Sequence, residues 1–166
     1  MPPKAAFDPN AIHYLKMKVV GGEVAPAAAL APKCSPIGMP PKKVGEDIQK
    51  ATKDWKGLKV EVQIKVQNKQ CEVTVLPTAA PLILKEMKKT GRDRKKTKQP
   101  SYAGNLTLDQ IKGIADKMRE KSFAATKAGT VMEVLGTCVS IGNTVDGKGP
   151  KDVQDEIRNG MIEIED

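Results

Sequence analysis

Hydrophobic and polar positions alternate most regularly between Leu58 and Val75. Leu58, Val60, Val62, Ile64 and Val66 interleave with Lys59, Glu61, Gln63, Lys65 and Gln67, and Cys71, Val73 and Val75 resume the pattern after Asn68-Lys69. A period of two with one apolar and one wet face predicts a β-hairpin turning at Asn68-Lys69 and ending at Pro77. Tyr14 to Val20 alternates in the same way, with Leu15, Met17 and Val19 opposite Lys16 and Lys18, and predicts a further strand stopped by Gly21-Gly22. Between these strands, Ala25 to Pro41 carries Pro26, Pro32, Pro36, Pro40 and Pro41. Prolines fix φ and remove donors, so this segment reads as a stiff, partly exposed element. It serves either as a rigid loop under a domain edge or as a pre-set docking surface for a partner. A helix over Lys42 to Thr52 puts Val44, Ile48 and Ala51 on one face, with Gly45 as its weak point. Trp55-Lys56-Gly57 closes this first unit.

After Pro77 the period changes. Thr78 is placed to cap a short helix whose first turn accommodates Pro81. Leu106-Thr107-Leu108-Asp109-Gln110-Ile111 starts another: Thr107 and Gln110 form a capping box, and Leu106 with Ile111 forms a hydrophobic staple. Ile111, Ile114, Ala115 and Met118 give that helix its apolar face. A further helix is expected from about Ser122, with Ala125, Gly129, Met132 and Leu135 along one side and Gly136 as its stop; a new turn then begins in Gly136–Gly142. Asp152 to Asn159 predicts a last short helix ended by Gly160, and Glu163, Glu165 and Asp166 make an acidic end. The fold class is therefore α+β in two small domains: an N-terminal α/β sandwich-like unit with a three-stranded antiparallel sheet, and a mainly helical C-terminal half.

Charge narrows the function. The 166 residues carry a formal net charge of +8, which favours nucleic acid or another polyanion over a neutral partner. Cations crowd one stretch, Lys85, Lys88, Lys89, Arg92, Arg94, Lys95, Lys96 and Lys98, followed by the bend Ser101-Tyr102-Ala103-Gly104-Asn105. That loop has no apolar anchors, and it is expected to order on a polyanion. Aromatic residues are 3% of the chain, so backbone and shape contacts to a folded RNA are expected to outweigh base stacking. Thr137 and Ser140 supply hydroxyls for phosphates or 2′-hydroxyls, and Gly104, Gly136 and Gly142 allow close backbone approach.

Catalytic and metal chemistry find little support. His13 is the single histidine, and no phosphate-binding glycine pattern is present. Cys34, Cys71 and Cys138 are too scattered for a metal site or disulfide framework, which suggests a reducing compartment. No metal, cofactor or membrane span is expected. Met1 to Asn10 reads as a plain tail or, once Met1 is removed, as a modification site at Pro2 and Lys4.

The motifs Ala25-Pro26 through Ser35-Pro36-Ile37-Gly38, Leu76-Pro77-Thr78-Ala79-Ala80-Pro81, Gly104-Asn105-Leu106-Thr107 and Gly136-Thr137 through Gly142 occur in an order that resembles one family. It is the eleventh large-subunit ribosomal protein family in its eukaryotic cytosolic form, where it is called large-subunit protein twelve. The resemblance implies a flexible tail over 1–10, a stalk-base, factor-facing domain over 11–76, an rRNA-binding domain over 77–145 and an acidic extension over 146–166. It implies a non-enzymatic constituent of the large subunit that binds 26S/28S-type rRNA at the GTPase-associated centre. The implied partners are that rRNA, the stalk scaffold protein with its acidic stalk proteins and, transiently, elongation-factor GTPases, with no DNA and no membrane. The implied location is the cytoplasm, after passage through the nucleolus.

The RNA-binding set is then Lys88, Lys89, Arg92, Arg94, Lys95, Lys96, Lys98, Tyr102, Gly104, Asn105, Thr130, Gly136, Thr137, Ser140 and Gly142. The resemblance also implies that Pro26, Pro32, Ser35 and Pro36 line a factor and rRNA cleft. The chain departs from the bacterial pattern at Ala31-Pro32 and Ser35-Pro36, and at Val139, where a cation is usual. On the residues alone, a free-standing RNA-binding module and a protein-interaction adaptor stay open as alternatives.

Overall fold

The strand pattern translates directly into register in a computed structural model that describes residues 10–88 and 104–165. Strand β1 (His13–Val20) pairs antiparallel with β2 (Lys59–Gln67), which pairs antiparallel with β3 (Gln70–Leu76), in the order β1-β2-β3. Leu15, Ile64 and Val73 share one row across the sheet, and Met17, Val62 and Val75 share the next. The β2–β3 turn places Asn68 at φ 50° and Lys69 at φ 58°. Two successive left-handed residues match the twist of a two-residue hairpin.

The chain divides after Leu76 into two compact units. In the first, helix α1 (Ala27–Cys34) and α2 (Pro41–Ala51) cover the apolar face of the sheet. Leu30, Cys34, Val44 and Ile48 meet Val60, Val62, Ile64 and Val66 in one core. Each Val or Ile buried there stabilises the unit by about 1.5–3 kcal/mol relative to an exposed position.

The proline-rich segment is helical, which its prolines had argued against. Pro26 takes the N-cap position, and its carbonyl accepts from the N–H groups of Ala29 and Leu30. Pro32 lies inside α1. In so short a helix the proline forfeits one backbone donor. Ser35–Ile37 continues as a 3-10 turn, closed by Gly38 at φ 68° with Gly38 N–H on Ser35 O and Met39 N–H on Cys34 O. On α2, Ala51 is exposed and Thr52 takes the buried place; its Oγ1 donates to Ile48 O at 2.7 Å and accepts from Gly22 N–H at 3.1 Å. Gly45 is buried where a Cβ would lie 3.3 Å from Val24 Cγ1 and 3.5 Å from Leu30 Cδ1, so it sets how closely α1 approaches.

The second unit packs α3 (Ala79–Glu86), α4 (Leu108–Met118), α5 (Lys127–Ile141) and α6 (Pro150–Arg158) with a two-residue parallel pair, β4 (Asn105–Leu106) and β5 (Thr144–Val145). Thr78 occupies the N-cap position of α3, but its side chain makes no capping bond. The capping box of α4 is complete: Gln110 N–H donates to Thr107 Oγ1, and Thr107 N–H to Gln110 Oε1. Leu106 and Ile111 are both buried.

Helix α5 differs from expectation at both ends. It starts at Lys127, because Thr126 accepts from Gly129 N–H as its cap, and Ser122 is spent in the preceding loop. It runs through Gly136 to Ile141 and stops at Gly142, φ 89°. Gly136 is a poor stop here because Val134, Leu135, Cys138 and Ile141 form one continuous buried face across it. Helix α6 begins at Pro150, earlier than expected, and lies against α5: Val153 is buried, and Gln154 Nε2 donates to Met132 O at 2.9 Å.

Candidate nucleic-acid interface

The surface around β4, β5 and α5 is built by a chain of local bonds. Asn105 Oδ1 accepts from Thr144 Oγ1 at 3.0 Å and from Gly147 N–H at 2.9 Å, while Gly104 O accepts from Thr144 N–H at 2.9 Å. Asp146 then reaches back: its Oδ2 accepts from Leu108 N–H at 3.1 Å, adding a carboxylate to the N-terminus of α4. A negative group there complements the helix dipole as well as a free N–H. Gly104 and Asn105 are thus fixed against the turn after α5, with Leu106 and Val145 buried beneath them.

Helix α5 presents Glu133, Gly136, Val139 and Ser140 to solvent, opposite its buried face. A Cβ at Gly136 would find only Gln154 Nε2, at 3.8 Å, so this part of the helix is open. Thr137 is half-buried and its Oγ1 donates to Glu133 O at 3.3 Å. Because α5 does not stop at Gly136, Thr137 and Ser140 do not open a new turn; they bring hydroxyls, and their N–H groups lie within the helix. Gly142 is exposed at its end.

Thr130 is placed differently from the rest of the expected RNA set. It is 0% exposed, and its Oγ1 bonds Ser122 Oγ at 3.0 Å and Arg119 Nη1 at 3.2 Å. Thr130 therefore shapes the surface from beneath and has no atom to offer an RNA. Lys88 is exposed at φ 54° after α3. Lys89, Arg92, Arg94, Lys95, Lys96, Lys98 and Tyr102, like Pro2 and Lys4, lie outside the described residues.

In the first unit Pro26, Pro32, Ser35 and Pro36 are all exposed, along α1 and its 3-10 extension. The three thiols are unlike catalytic cysteines. Burial raises the pKa of each, and Cys71 is pushed up to about 11 by burial and then by Asp47, whose Oδ2 accepts its Sγ–H at 2.8 Å. Among the described residues no group of His, Cys, Asp and Glu could hold a metal ion. No helix among them is long and apolar enough to cross a membrane.

Arg119 and Asp146 escaped the sequence reading. The bonds of both depend on where a distant segment returns, which no local pattern encodes.

Two family models match the chain: the N-terminal domain of ribosomal protein L11 over residues 15–71, and the RNA binding domain of ribosomal protein L11 over residues 75–145. The large ribosomal subunit protein uL11A of Schizosaccharomyces pombe is 56% identical over 164 residues, covering 99% of this chain and 98% of its own. The uL11z protein of Arabidopsis thaliana is 53% identical over 165 residues and uL11A of Saccharomyces cerevisiae 52% over 164, each across 99% of this chain and 98% of the relative. These relatives are ribosomal proteins, not enzymes. With both domain models matched in order and full-length relatives at such identity, the chain belongs to the ribosomal protein L11 family.

Proposed function

We propose that this protein is a structural constituent of the large ribosomal subunit. Its second unit binds 26S/28S-type rRNA at the GTPase-associated centre, and its first unit serves the stalk base during translation. The observation that carries the reading is the match of an RNA binding domain to residues 75–145, the part of the chain that holds the exposed stripe of α5 and the cationic stretch. Contacts run through Gly104, Asn105, Gly136, Thr137, Ser140 and Gly142, with Lys88, Lys89, Arg92, Arg94, Lys95, Lys96, Lys98 and Tyr102 neutralising or touching the backbone. The exposed Pro26, Pro32, Ser35 and Pro36 face rRNA and factors. The stalk scaffold protein, its acidic stalk proteins and the elongation-factor GTPases are the protein partners. The protein works in the cytoplasm after nucleolar assembly, with Pro2 and Lys4 as sites of modification.

The test is binding of the full chain to the GTPase-centre RNA beside a scrambled stem of equal length, across a salt series. The expected result is selective binding whose log affinity falls linearly with log salt, at a slope of about −0.9 per neutralised phosphate in a duplex. Equal binding to both RNAs that vanishes with salt refutes the reading and leaves a merely basic protein.

A further inference from the structure

The loop between α4 and α5 is tied from several directions. Arg119 Nη1 donates to Ala124 O at 2.7 Å and Nη2 to Ala125 O at 2.6 Å, with Thr126 O at 3.4 Å and Thr130 Oγ1 at 3.2 Å also within reach of Nη1. Ser122 Oγ donates to Glu133 Oε2 at 2.8 Å and accepts from Ala124 N–H at 3.1 Å. Gly129 lets the loop settle on α5: a Cβ there would come within 2.8 Å of Ala124 Cβ. One residue in this clamped loop is out of place. Phe123 is 102% exposed.

A slack loop would let such a ring fold back onto apolar neighbours. A loop held by a guanidinium and two hydroxyls does not, so the ring stays presented at little entropic cost to a partner. Its surroundings indicate which partner. Lys117, Arg119 and Lys121 precede it and Lys127 follows, but Lys117 pairs with Glu86, Lys127 with Asp116, and the Arg119 guanidinium is spent on the loop carbonyls. Among the described residues of this unit, the other exposed large apolar residues are Val139, on α5, and Met161, beyond α6. A protein hot spot sits within a packed apolar patch. A single exposed ring in the part of the chain that matches an RNA binding domain suits a nucleobase, which needs one flat face. The loop also adjoins the α5 surface, because Ser122 holds Glu133, which lies one turn before Gly136 and Thr137 on the solvent side.

We propose that Phe123 is a stacking platform for an unpaired base of the RNA held by the second unit, with Arg119 as the residue that positions it. The proposal rests on the rRNA reading above and adds a base contact to it.

The test compares the full-length wild type with Phe123→Ala, Phe123→Leu and Phe123→Trp on the GTPase-centre RNA and on the scrambled stem. Phe123→Ala is expected to weaken selective binding by about five- to one-hundred-fold, the range for loss of one stacked base, without changing the salt slope. Leu should restore little of it. Trp should bind at least as well as Phe, and its fluorescence should be quenched on binding, read against the wild type with Trp55 alone. If the wild type does not distinguish the two RNAs, the rRNA reading falls and the platform with it. If it does, and Phe123→Ala binds within twofold of it, the platform alone is overturned. Full rescue by Leu also overturns it, because bulk without a flat aromatic face then suffices.

Discussion

Thr130 and Gly136 belong to one helix and face opposite ways. Thr130 is sealed beneath the α4–α5 loop, whereas Gly136 opens to solvent with only Gln154 near it. Gly136→Val therefore fills empty space on the outside and improves helix propensity by a few tenths of a kcal/mol. The variant should melt at or slightly above the wild-type temperature, yet bind the GTPase-centre RNA about tenfold more weakly, equivalent to roughly 1.4 kcal/mol of lost contact. A folded variant with unchanged affinity removes this stripe from the interface. Cys71 permits a chemical prediction. Its folded pKa is raised from 9.0 to about 11, chiefly by burial and then by Asp47, with Lys43 pulling it partly back. The neutral thiol is favoured more in the folded than in the unfolded chain. Its contribution to stability is thus complete below pH 9 and is lost as pH climbs towards 11. Alkylation of Cys71, followed by peptide mass, should be slow at pH 8 and faster in Asp47→Ala, where the thiol loses its acceptor.

Elements whose cause is local were the ones legible in advance. The hairpin follows from alternation and an Asn-Lys turn, and the start of α4 from four residues of capping chemistry. Elements set by packing were not. Helix α1 forms despite Pro32, because burying Leu30 and Cys34 in the first core outweighs one missing backbone bond. Helix α5 passes through Gly136 because its buried face needs Cys138 and Ile141. Likewise, Gly136 and Gly142 are exposed as their proposed role requires, but Thr130 was not readable as buried, since its burial depends on Arg119 folding a loop over it. Gly21 shows the same dependence in the first unit. It bridges to Lys56, its N–H donates to Leu58 O, and a Cβ on it would fall 2.1 Å from Trp55 O. That contact is with backbone and cannot be relieved by a rotamer. Gly21→Ala should destabilise the first unit by about 2–3 kcal/mol, seen as a lower denaturant midpoint for the Trp55 signal.

At the scale of the whole molecule, the division after Leu76 gives that same variant a second use. The two units hold separate cores, so Gly21→Ala should leave RNA selectivity intact while Trp55 reports a weakened first unit. Loss of both together would mean that the units fold as one. The parallel pairing of Asn105-Leu106 with Thr144-Val145 imposes an order in time as well as in space. A chain made from its N-terminus completes the β1-β2-β3 sheet and its two helices by Leu76, and that unit is free to fold while synthesis continues. Strand β4 must instead wait for both intervening helices to be made before its partner exists. Until β5 emerges, Gly104 O and the carboxylate site at the head of α4 have nothing to bind. The nascent second unit would then complete the surface around β4, β5 and the head of α4 in a single late closure, and a translating ribosome would carry a finished first unit with an unfinished second one.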